Sequence, residues 1–121
     1  MRLKNTLTTT ALLGALLCAT SVWAHAHLQS QTPAADSTVK PPAELSLVFS
    51  EGVEADFCKV TISRDGDEIL VKSLVTQGPD KKTLIVTPAV PFTAGDYKVE
   101  WHVVSADTHK SEGAYAFKVG Q

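Results

Sequence analysis

The sequence predicts an all-β domain, an immunoglobulin-like sandwich of about seven strands, carried behind an export signal. Three observations lead there. Short runs alternate apolar and polar residues along the chain. Prolines at positions 33, 41, 42, 79, 88 and 91 leave little room for long helices. The 121 residues allow one domain and no more.

The strands follow in order. Glu44-Leu45-Ser46-Leu47-Val48-Phe49 sets Leu45, Leu47 and Phe49 on one face. Phe57-Cys58-Lys59-Val60-Thr61-Ile62-Ser63 alternates less cleanly. Asp65-Gly66 is a tight-turn signal, and Glu68-Ile69-Leu70-Val71 continues from it as the next apolar run. Thr83-Leu84-Ile85-Val86-Thr87 is a short apolar strand. In Asp96–Val103, Tyr97, Val99, Trp101 and Val103 share a face. Ala114–Val119 closes the chain with Tyr115, Phe117 and Val119 together. Strands of this length with turns between them pack as a sandwich or barrel, and loops of a sandwich gather at its two ends.

The first residues have a different character. Arg2 and Lys4 precede the apolar run Ala11–Ala19, which is too short to span a bilayer comfortably. Val22-Trp23-Ala24 then offers small or modest residues where a signal peptidase reads. This order predicts a secretory signal peptide over residues 1–24 and a domain over 25–121. Ala24-His25-Ala26 is itself an A-x-A pattern, so cleavage after Ala26 is the alternative. Leu17 before Cys18 does not fit a lipobox.

Cleavage after Ala24 leaves about 97 residues, enough to bury roughly 65% of the unfolded surface in one modest core. It also removes Arg2 and Lys4 from the 11 basic residues, against 13 acidic ones, for a net charge of about −4. No basic patch exists to displace counterions, which excludes a nucleic-acid partner. Cys58 is then the single thiol, so no intramolecular disulfide forms, and it reads as a small buried strand residue.

Four histidines remain: His25, His27, His102 and His109. His102 alternates with Trp101 and Val103 and so points away from their core face, as a surface residue. Asp107 and His109 stand two apart in Ser105-Ala106-Asp107-Thr108-His109. In an extended segment they project to the same side, where a carboxylate and an imidazole can share a metal. An amino-terminal His chelates through its α-amine and imidazole, and the amine gives up its proton at little cost near neutral pH. Nitrogen donors in a square-planar set suit Cu(II). His25, Asp107 and His109 together supply three nitrogens and one oxygen. His25-Ala26-His27 offers a rival mode, in which the amine, two backbone amides and the third-position imidazole wrap one Cu(II). Ala26 permits it, since a proline there would lack the N–H. The folded set is favoured because its ligands are preorganised, leaving His27 for a weaker second ion. No nucleophile with a base, phosphate loop or paired C-x-x-C is present.

The chain resembles the CopC family of periplasmic copper-resistance proteins across essentially its whole mature length. The resemblance rests on His25-Ala26-His27-Leu28, Thr32-Pro33-Ala34, Leu47-Val48-Phe49-Ser50-Glu51-Gly52, Gly95–Ser105, Asp107-Thr108-His109 and Gly113. Trp101-x-x-Val104-Ser105-x-Asp107-x-His109 is its most specific part. The resemblance implies a Greek-key β-sandwich that binds one Cu(II) per mature chain through His25, Asp107 and His109. It places Glu51 beside them as an acceptor that orients the amine or an imidazole. Its spacing from the first His to Thr32-Pro33 favours cleavage before His25. It further implies a monomeric, non-enzymatic periplasmic protein, with a CopD-type inner-membrane copper transporter as a possible partner. Some family members carry a Met-rich loop for Cu(I). Met1 is the only methionine here, so that second site is not expected.

Two other functions fit the same residues. An amino-terminal His with a second His also forms the histidine brace of copper monooxygenases, although Asp107 would occupy the position that oxygen needs. The third reading is a metal-free, immunoglobulin-like interaction module.

Overall fold

The alternation read from the sequence builds two facing sheets. The computed structural model describes residues 26–120, so the expected signal peptide and His25 lie outside the described residues. Among the described residues nine strands form: β1 Leu28–Thr32, β2 Thr38–Val39, β3 Leu45–Phe49, β4 Lys59–Arg64, β5 Asp67–Ile69, β6 Val71–Gln77, β7 Thr83–Pro88, β8 Gly95–Val104 and β9 Lys110–Val119. One sheet has the order β1-β3-β7-β6 and the other β2-β9-β8-β4-β5. The chain crosses between sheets after β1, β2, β3, β5 and β7, as the interleaved strands of a Greek-key sandwich require.

The core is made by the inward faces of both sheets. Leu45, Leu47 and Phe49 of β3 are fully buried, as are Val99 and nearly so Tyr97 and Val103 of β8. Phe49 meets Trp101 edge-on with ring centroids 5.3 Å apart. Tyr97 stacks on Phe117 at 5.2 Å and 7°. The Tyr97 hydroxyl is buried with both its roles used: it donates to the Thr93 carbonyl at 2.8 Å and accepts the Thr93 N–H at 2.9 Å. This pins the loop that enters β8, much as a tyrosine corner does.

Nine strands exceed the expected seven for identifiable reasons. β1 is an edge strand, Leu28-Gln29-Ser30-Gln31-Thr32, with a mostly exposed polar pattern that gives no apolar period. β2 is two residues long and pairs parallel with the end of β9. The apolar run Glu68–Val71 is not one strand. β5 ends at Ile69 in one sheet and β6 begins at Val71 in the other, with Leu70 exposed at the crossover. The Asp65-Gly66 turn is present as expected. It joins β4 to β5 as a two-residue hairpin with φ of 49° and 91° at its two residues.

Phe57 and Cys58 precede β4 rather than lying in it. Ala55–Phe57 forms one 3-10 turn, which Cys58 closes. Phe57 is largely exposed. Cys58 is half-buried, and its thiol donates to the Glu54 carbonyl at 3.1 Å.

Candidate metal centre

β8 and β9 pair in unbroken register from Gly95–Val119 to Val104–Lys110. The five residues Ser105–His109 connect them. Within this connection the Ser105 N–H bonds the His109 carbonyl at 2.9 Å, and the Thr108 N–H bonds the Ser105 carbonyl at 2.9 Å. Thr108 holds a left-handed φ of 73°, a conformation a β-branched residue rarely adopts. Such local strain gathers where a loop is held for a purpose.

The turn brings Asp107 and His109 together. His109 Nδ1 lies 3.3 Å from Asp107 Oδ1. Neighbouring donors on one ion, each about 2.0 to 2.1 Å from it, stand roughly 3 Å apart, so the pair fits a shared metal. The sequence placed these side chains together by assuming extended backbone. They meet instead because the chain turns at Ala106–Thr108, and Ser105 fixes the turn. Its buried hydroxyl donates to Asp107 Oδ1. That hydrogen bond, with further ones from His109, holds the Asp107 carboxyl below its ordinary range. The group is therefore an anionic oxygen donor at neutral pH.

A second loop packs against this turn. Val53 bridges to Ser105. The Ala106 N–H bonds the Gly52 carbonyl and the Glu54 N–H bonds the Val104 carbonyl, both at 2.9 Å. A Cβ on residue 52 would stand 2.6 Å from the Asp80 carbonyl oxygen, so only glycine lets the 78–82 loop approach. Glu51, Gly52, Ser105, Ala106 and Asp107 together line a cleft of about 190 Å³. Glu51 Oε2 is buried there and has no hydrogen-bond partner among the described residues. A buried carboxylate oxygen in that state calls for a donor, which an amine or imidazole N–H would supply.

The amino-terminal segment arrives at the same end. Ala26 is buried, and its carbonyl accepts the Ser111 hydroxyl at 2.8 Å. The His27 N–H donates to Ser50 Oγ at 2.9 Å, and the His27 carbonyl accepts the Ser50 N–H at 2.8 Å. His25 lies outside the described residues. Among the described residues, no three of His, Cys, Asp and Glu converge into a metal cluster. Asp107 and His109 are a pair, with Glu51 on the wall of the adjoining cleft.

The remaining candidates stand apart. His27 is exposed where the chain enters β1. His102 is exposed on the outer face of β8, its Nδ1 3.6 Å from Glu112, its direct neighbour on β9. Burial, reinforced by the charge of Glu54, raises the pKa of the Cys58 thiol and disfavours the thiolate a metal would need. Sequence reasoning gave no role to the hydroxyls of Ser50, Ser105 and Ser111. Only Ser105 carried a local signal, as a serine two residues before an aspartate in a loop.

Comparison with known proteins gives a consistent result. The family described as the CopC domain matches residues 28–120. Copper resistance protein C of Pseudomonas syringae pv. tomato is 38% identical over 125 residues, covering 98% of this chain and 99% of that protein. Protein YobA of Escherichia coli K12 is 45% identical over 112 residues, covering 90% of each. Among solved structures, PcoC from Escherichia coli, a methionine rich copper resistance protein, superposes with a TM-score of 0.71 at 34% identity. The match covers 80% of this chain and 100% of PcoC. Unlike that methionine rich protein, this chain has one methionine, Met1.

Proposed function

The chain belongs to the CopC family, and from that premise we propose that it is a periplasmic Cu(II)-binding protein of copper resistance. It binds one ion per mature chain. The ligands are the α-amine and imidazole of His25, the Asp107 carboxylate and the His109 imidazole. The observation that carries this reading is the 3.3 Å approach of His109 Nδ1 to Asp107 Oδ1 on a turn built to hold them.

The chemistry of the donor set supports it. One carboxylate and several nitrogens match the preference of Cu(II) over Cu(I), whose soft thioether ligands are missing beyond Met1. His25 directly precedes Ala26 in the chain. Ala26 is hydrogen-bonded to Ser111, two residues after His109. The unpartnered Glu51 Oε2 supplies an acceptor for an N–H of the His25 amine or of a ligating imidazole. Removal of residues 1–24 would create the amine, so copper binding in this mode waits on export and processing.

Copper is cargo here, sequestered or passed to a membrane partner of the CopD type by a monomeric carrier. The relatives' names describe resistance proteins rather than enzymes, which supports binding over catalysis. Mass spectrometry of the exported protein, with and without Cu(II), tests the reading. A chain starting at His25 that gains one copper ion is expected. A chain starting elsewhere, or one that gains none, would reject it.

A further inference from the structure

We propose that the hydroxyls of Ser50 and Ser111 select the copper-binding mode, by withholding the Ala26–His27 backbone from the ion; this rests on the copper-binding reading above. A chain beginning His25-Ala26-His27 has a competing option built into it. Its amine, the amide nitrogens of Ala26 and His27, and the His27 imidazole can wrap Cu(II) in four nitrogens. Each amide must first release its proton to solvent, and only then does its nitrogen have a lone pair for the metal.

The fold opposes that step. The His27 N–H is engaged by Ser50 Oγ at 2.9 Å. The His27 carbonyl is held by the Ser50 N–H at 2.8 Å. The Ala26 carbonyl accepts the Ser111 hydroxyl at 2.8 Å, and Ala26 is only 1% exposed. An amide nitrogen that donates a hydrogen bond to a hydroxyl cannot direct a lone pair at a metal. Wrapping would therefore require the His27 nitrogen to leave Ser50 Oγ, and the buried Ala26, tethered through its carbonyl to Ser111, to swing its own nitrogen round to the same side. The one hydrogen bond that ligation must break, of ordinary strength, corresponds to roughly fivefold in an equilibrium constant. With the backbone withheld, the His25 amine and imidazole are the donors this segment offers. The other positions on the ion are then left to Asp107 and His109.

The placement of the two serines fits the role. Ser50 directly precedes Glu51 of the cleft, and Ser111 follows His109 by two residues on β9. The segments that carry the cleft and the ligand pair thus also carry the groups that hold the incoming chain. Ser50 and Ser111 are positioning residues; neither touches the ion.

The test uses protein beginning at His25, loaded with stoichiometric Cu(II) and followed by EPR and visible absorption from neutral to mildly alkaline pH. The wild type is expected to show three nitrogens and one oxygen throughout. The Ser50→Ala/Ser111→Ala double variant is expected to gain a four-nitrogen species that grows with pH, by roughly fivefold or more over wild type. Adding His27→Ala should abolish that species, and threonine at both serine positions should restore the wild-type spectrum. A double variant that is folded by circular dichroism yet keeps the wild-type spectrum at every pH would overturn the proposal. If the double variant does not fold, Ser50→Ala alone is read by the same criterion. Failure of the underlying reading looks different. A three-nitrogen wild-type spectrum that survives His109→Ala would reject the ligand assignment while the serine effect could still be read. A wild-type spectrum already of four nitrogens would reject both.

Discussion

Gly113 lies opposite Trp101 in the β8–β9 ladder, so close that a Cβ on residue 113 would stand 2.4 Å from the indole Cζ2. No real contact of that kind survives, so the indole or the backbone of β9 must move if any side chain is added. Trp101 is also the edge-on partner of Phe49 in the core. The bare glycine is what lets the largest aromatic residue of β8 pack so closely against β9.

Gly113→Ala should therefore destabilise the fold by about 1–3 kcal/mol, as overpacking of a well-filled core does. Urea unfolding followed by Trp101 emission measures it. An unchanged midpoint would show that the indole has room to shift.

Tyr115 makes a contrast with Tyr97. Both rings are buried, but the Tyr115 hydroxyl has no hydrogen-bond partner among the described residues. Tyr115→Phe removes an unsatisfied polar atom and should leave stability unchanged or raise it by about 1 kcal/mol. Thermal melting at neutral pH checks this, and a loss above that size would mean the hydroxyl is satisfied.

Burial raises the pKa of Tyr115 above its ordinary value of 10.0. The folded state thus favours the protonated phenol. Its stabilising effect is complete below pH 10 and is lost as pH climbs above that value, because the unfolded chain then ionises first. Apparent stability of the wild type should fall more steeply than that of Tyr115→Phe above pH 10. Parallel curves in denaturant titrations would contradict this assignment.

Gly52 governs how the cleft loop meets the Asp107 turn. Gly52→Ala would place a Cβ 2.6 Å from the Asp80 carbonyl oxygen, forcing apart the 51–53 segment and the 78–82 loop. The expected result is a loss of about 1–3 kcal/mol in stability and weaker Cu(II) binding, as Glu51 and the Gly52 contact to Ala106 shift. Calorimetric titration that found wild-type affinity in this variant would detach the cleft from the metal site.

Cu(II) should stabilise the native state by mass action, about 2.7 kcal/mol when free ion stands at 100 times Kd. In protein beginning at His25, Trp101 is the only tryptophan, and its emission should be quenched as the ion binds. Chelator should reverse both effects, and His109→Ala should show little of either. A melting temperature indifferent to copper would favour the metal-free module.

Much of the fold was legible because one face of each central strand is buried. Leu45, Leu47 and Phe49, and Tyr97 to Val103, announce their inward faces by alternation alone. The edge strand β1 and the crossover at Leu70 did not, since both are set by which sheet a segment joins, a tertiary choice. The residue types of the proposed metal site stand in the sequence, but the geometry of Asp107 and His109 does not. Asp107 and His109 meet through the left-handed Thr108 and the buried Ser105, and no period records a turn of that kind. The serine clamp was invisible for a related reason, since Ser111 and Ala26 lie 85 positions apart.

EPR of the Cu(II)-loaded protein tests the joint use of the His25 amine, Asp107 and His109 most directly. Three forms are compared: protein beginning at His25, the same protein with one extra residue before His25, and His109→Ala. Joint ligation gives a single three-nitrogen, one-oxygen spectrum in the first and its loss in both of the others. The same spectrum in all three forms would contradict it.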